Sequence, residues 1–151
     1  MRTRLTLLAP VWLIFAGSVL GQCVLDPIRV GRVEGYLLFG FQNNYRLLDK
    51  GEIQLLEPVN TQTVVASITV DKDGRFEIVS VKLGKYILSV RSEGLIPTSV
   101  DVTVTKSKRA PGHQLILVVL SADATRECGG ASIKVHPKAE VDRLLGTATR
   151  P

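Results

Sequence analysis

The sequence predicts an all-β protein, a seven-stranded antiparallel sandwich. Three observations carry this expectation. Apolar and polar residues alternate with period two in short segments. Clusters of Gly, Pro, Asn and Asp separate those segments at the spacing that sandwiches use. No sustained helical period precedes the C-terminus. At 151 residues with 45% apolar content, one domain with a full core is expected.

The elements follow in order. In "GRVEGYLLF", Val33, Leu37 and Phe39 fall on one face, with Gly35 between them. Ile53 and Leu55 share a face in "EIQLLE". Val64, Ala66, Ile68 and Val70 alternate with Val65, Ser67 and Thr69. Phe76 and Ile78 alternate with Arg75 and Glu77, and Tyr86, Leu88 and Val90 with Ile87, Ser89 and Arg91. Val100, Val102 and Val104 make the sixth strand. "LILVVL" (115–120) is apolar on both faces, so it should lie inside a sheet with a further layer over its second face. Turn signals stand between the strands, among them "QNN" at 42–44, "DKDG" at 71–74 and "APG" at 110–112. In "DKDG", Gly74 supplies positive φ, and Asp71 and Asp73 can accept bonds from their own turn backbone. Gly84 should turn the chain again before Tyr86. Only "KAEVDRLL" (138–145) has a helical pattern, and the "GTATRP" that follows should be mobile.

The N-terminus has its own composition. Arg2 and Arg4 precede "LTLLAPVWLIFAGSVL", and small residues follow. This is the pattern of a cleaved secretory signal peptide, residues 1–21. A retained anchor is the alternative, but the run is short of the roughly 20 residues a span needs. The expectation is therefore an extracytoplasmic chain, periplasmic or secreted, with no stable transmembrane span. Cleavage removes the only Trp, Trp12, and takes the formal charge from +5 to about +3. Residues 22–136 then form the sandwich domain and 137–151 a C-terminal tail with the short helix. Export places Cys23 and Cys128 where disulfides persist, and a bridge between them would join the two ends of the domain. The alternative is lipidation of Cys23 in "LGQC", where Gln22 occupies a position that a lipobox gives to a small residue.

Three stretches taken together carry a family resemblance. "GRVEGYLL", "TVDKDGRFEIVSVKLGKYILSV" and "GHQLILVVL" stand in an order that resembles the carboxypeptidase regulatory-like domain of exported, bacterial-type proteins. The resemblance spans residues 28 to 121. It implies a transthyretin-like (prealbumin-like) Greek-key sandwich, an accessory module rather than a peptidase. "EGLIP" at 93–97 departs from the Gly-Tyr pair common in that family.

No catalytic constellation is legible. There is no HExxH, no G-x-S-x-G around Ser132, and no phosphate-cradling glycine loop. Counting twelve residues from Asp71 ends on Lys82, where a calcium loop needs a carboxylate. His113 and His136 lie far apart in sequence, and Pro137 opposes a helix start that would align His136 with Glu140. No catalytic residue, metal ligand or cofactor is implied. "KSKR" (106–109) is a solvated loop cluster, and nucleic acid is not the expected partner. The expectation is a noncatalytic structural or interaction domain whose partner is an envelope or extracellular protein. A carbohydrate-binding module, with a glycan as ligand, is the alternative. The candidate ligand loop is Phe41, Gln42, Asn43, Asn44 and Tyr45, with two aromatic faces and three amides that suit hydroxyls or peptide backbone.

Overall fold

The structure is a computed structural model and describes residues 25–41, 44–106, 113–122 and 130–148. Among these, ten strands and one helix form: β1 (Ile28–Val30), β2 (Val33–Phe41), β3 (Asn44–Leu47), β4 (Glu52–Leu56), β5 (Val64–Thr69), β6 (Arg75–Ile78), β7 (Gly84–Arg91), β8 (Thr98–Val104), β9 (Gln114–Leu120), β10 (Ser132–Pro137) and α1 (Lys138–Thr147). One sheet runs β1-β8-β7-β4-β5. The other runs β10-β9-β2-β3, with β6 also on β2. The protein is all-β, as its alternation predicts.

The expected seven antiparallel strands are corrected in two ways. All seven form, as β2 and β4 to β9, but β1, β3 and β10 join them. Both sheets are mixed, because β1 pairs β8 and β2 pairs β9 in parallel. The physical reason is length and distance. Three residues of β1 are too few to display a period, and a parallel pair needs a long crossover that no local signal announces.

The two sheets close on one core. Ile53, Leu55, Leu88, Val90, Val100 and Val102 from the first sheet meet Val33, Leu37, Phe76, Ile116, Val118 and Leu120 from the second. A smaller cluster lies on the outer face of the second sheet, where Leu38, Leu47, Leu115, Leu117 and Val119 pack beneath α1. This explains why β9 is apolar on both faces. Helix α1 is the expected second cover, and its Val141 is fully buried. The predicted 138–145 helix extends through Gly146 and Thr147, so these two are helical rather than part of a mobile tail. On the far edge of the first sheet, Ala66 and Ile68 of β5 pack against the core and Val70 is buried just beyond it, as the alternation predicts, while Val64 at the strand's start is half exposed.

Turn chemistry sets how the strands meet. Strands β3 and β6 lie end to end along one edge of β2: β3 pairs Leu38–Phe41 and β6 pairs Val33–Tyr36. Gly74 fills the joint between them. Its φ is +69°, and its carbonyl accepts from Leu37 N at 2.8 Å. Asp71 Oδ1 accepts from Asp73 N at 2.8 Å and from Arg75 N at 2.9 Å, closing the predicted Asx turn. Between β6 and β7 the positive φ falls on Ser80 (+60°), whereas Gly84 is already the first residue of β7.

The expected signal peptide at 1–21, the expected Cys23–Cys128 bridge, and "SKR" at 107–109 lie outside the described residues.

Candidate functional site

The predicted ligand loop is mostly strand. Phe41 ends β2 and pairs with Asn44, the first residue of β3, while Gly40 pairs with Tyr45. Gln42 and Asn43 lie outside the described residues. Directly paired residues share a face and successive ones alternate. Phe41 and Asn44 therefore lie on one face of the hairpin and Tyr45 on the other. Phe41 is 51% exposed and continues the line of Phe39, whose ring has Arg46 above it at 5.9 Å. Tyr45 is 36% exposed and lies against Gly40 on the α1 side of the sheet. One flat ligand cannot stack on both rings at once.

A charged cluster that sequence reasoning missed lies on that same outer face. Glu34 is buried to 2% exposure. Its Oε1 lies 2.5 Å from His113 Nε2, and its Oε2 lies 4.0 Å from Arg75, which also reaches Glu77 at 3.4 Å. The fold assembles this group from three elements. Glu34 faces Glu77 across β2 and β6, and His113 immediately precedes β9. A carboxylate needs partners when buried, and here a ring nitrogen and a guanidinium supply them. The cluster holds the start of β9 to β2 and β6. His113 thus has a buried carboxylate partner from a distant strand. No local signal betrays the pair, because 79 residues separate its members.

The expectation for His136 and Glu140 is corrected. Its Nδ1 lies 3.2 Å from Glu140 Oε2. Pro137, with ψ 141°, stays extended as the helix cap and carries β10 straight into α1. The last turn of strand thus delivers the ring to the first turn of helix despite the proline. Nearby, Lys138 Nζ donates to Asp142 at 2.6 Å, and this bond raises the Lys138 pKa above 10.5.

A groove of about 470 Å³ runs between the two sheets at the β1 and β10 edges. Leu25, Ile28, Ile133 and Val135 give it apolar walls, and Asp26, Arg29 and Lys134 also line it. Strand β10 pairs only with β9 among the described residues. Lys138 N donates to His113 O at 2.7 Å, one step beyond the strand. Bonded pairs recur every second residue of an antiparallel ladder. With the register Pro137↔Gln114 to Ser132↔Val119, the main chain of Lys134 and His136 points to β9, and that of Ile133 and Val135 points to the groove. On the other wall, Thr105 N donates to Val30 O, which turns Val30 to β8 and leaves the main chain of Arg29 on the groove side. The sequence signal for β10 was the alternation of Ile133 and Val135 in "SIKVHP".

No protein-family model and no curated protein matches this chain. Among the described residues, no helix is long and apolar enough to cross a membrane.

Proposed function

We propose that this chain is a noncatalytic, exported interaction domain that takes an extended segment of a partner protein as an added strand on β10. We place it with the transthyretin-like, carboxypeptidase regulatory-like sandwiches, on the order of its three sequence stretches. The extracytoplasmic location rests on the basic start and apolar run of residues 1–21. One observation carries the binding mode: the main chain of Ile133 and Val135 faces an open groove instead of another strand. Strand addition draws affinity from such backbone groups and specificity from pockets for alternate side chains. The glycan alternative is weaker, because Phe41 and Tyr45 present their rings on opposite faces.

The test uses random linear peptides displayed against the full chain, followed by amide hydrogen exchange. Selected peptides should slow exchange at Ile133 and Val135. Val135→Pro removes a groove-facing N–H and leaves the β9 ladder intact, since proline is tolerated on an edge. It should abolish peptide binding and keep the fold. Peptides that bind Val135→Pro as well as the parent would overturn the reading.

A further inference from the structure

A second hollow, about 190 Å³, opens between α1 and the outer face of the second sheet. Leu38, Leu117 and Val119 form its floor and Leu144 of α1 one wall. Four polar side chains border it: Tyr45, Ser132, Lys134 and His136. They converge for a reason of register. Ser132 pairs Val119, Lys134 pairs Leu117 and His136 pairs Leu115, so all three stand on the same face as the apolar floor. Tyr45 reaches the hollow from the opposite side, over Gly40. A methyl at Gly40 would meet Val119 Cγ1 at 2.5 Å and the Tyr45 ring at 3.4 Å, so the missing side chain is what lets the ring lie there.

The polar groups are unevenly engaged. His136 lies beside Glu140, with Nδ1 3.2 Å from Oε2. Among the described residues, the side chains of Tyr45, Ser132 and Lys134 have no hydrogen-bond or ion-pair partner. An apolar floor with several convergent unpaired donors on its rim is the usual make-up of a small-ligand site. Size narrows the ligand. An apolar cavity of about 150 Å³ takes one benzene ring, so this hollow suits one ring or a short alkyl chain with a head group. Charge narrows it further. The ammonium of Lys134 and two hydroxyl donors on one rim call for an anionic acceptor.

We propose that this hollow binds a small monocarboxylate whose body is a single aromatic ring or a short aliphatic chain. The body lies on Leu38, Leu117 and Val119, and the carboxylate meets Lys134, with Ser132 and Tyr45 donating to it. The hollow lies on the α1 face of β10 and shares Ser132, Lys134 and His136 with the lining of the groove; Val135→Pro, which blocks strand addition, should leave benzoate binding unchanged and so distinguishes the two sites.

Benzoate and its uncharged counterpart benzyl alcohol are the probes. Titration of the full chain is followed by methyl NMR at Leu38, Leu117 and Val119. Benzoate should shift these methyls and bind more tightly than benzyl alcohol. Lys134→Gln, at an exposed position, should weaken benzoate about tenfold, the scale of one charge-assisted bond. The same variant should leave benzyl alcohol unchanged. Leu144→Trp should fill the hollow and block both probes, with circular dichroism confirming the fold. Three results would overturn the proposal. They are equal affinity for the two probes, indifference of benzoate to Lys134→Gln, and absence of methyl shifts at any soluble benzoate concentration.

Discussion

Gly74→Ala tests whether the joint between β3 and β6 depends on a bare backbone. Two costs combine there. The φ of +69° lies in the left-handed region, which costs a residue with Cβ about 1–2 kcal/mol. The new Cβ would also stand 2.8 Å from Leu37 O and 2.9 Å from Leu48 O. Neither oxygen can withdraw easily. Leu37 O already accepts from Leu48 N at 3.1 Å, and Leu37 N donates to Gly74 O. Forcing such contacts costs about 1–3 kcal/mol. The lost backbone freedom of the unfolded chain returns about 0.4–1 kcal/mol. The expected net is about 2–4 kcal/mol. Gly94 supplies the control, because its φ is +73° and nothing lies within 4 Å of its Cβ position. Gly94→Ala therefore isolates the left-handed cost. Urea unfolding reads both, at a slope of about 2 kcal/mol per M. Gly74→Ala should lower the midpoint by about 1–2 M and Gly94→Ala by about 0.5 M, on the same slope. Equal midpoints for the two variants would refute the claim that the Leu37 and Leu48 carbonyls make Gly74 indispensable. Gly74→Val should be worse than alanine, since a β-branched residue is least tolerated at positive φ.

The other expectations are more local. His113→Ala leaves Glu34 buried with only a distant guanidinium and should cost about 1–3 kcal/mol. His136→Ala breaks a partly exposed pair and should cost about 1 kcal/mol or less; the reverse order in urea melts would refute the Glu34 assignment. Gly35→Ala would drive a methyl into the backbone carbonyl of Ile116, so it should destabilise by about 3 kcal/mol or prevent folding, and an unchanged thermal midpoint would contradict the β2–β9 register. The raised pKa of Lys138 means its bond to Asp142 contributes fully below pH 10.5 and is lost as pH climbs through the folded value. An NMR titration of the Lys138 side chain should show this, and Asp142→Asn should bring the pKa back down. Nonreducing peptide mapping of exported protein should join Cys23 to Cys128, a bridge worth about 2–5 kcal/mol; a diacylglycerol adduct on Cys23 would select lipidation instead.

What the sequence by itself determined is the class and the turns. Period-two runs such as Val100 to Val104 and Tyr86 to Val90 must bury one face, whatever their neighbours, so the strands could be read without them. Gly74 and Asp71 act within five residues, so the Asx turn and positive φ were legible as well. The apolar excess of "LILVVL" even announced a second covering layer. Tertiary structure alone decided what depends on distant pairing. The parallel contacts of β1 with β8 and β2 with β9 leave no local mark. Nor does the meeting of Glu34 with His113, or of Tyr45 with Lys134 and His136 around one hollow. Alternation tells which residues share a face of their own strand. It does not tell which strand lies alongside, and that adjacency places side chains from far apart in the chain within reach of one another.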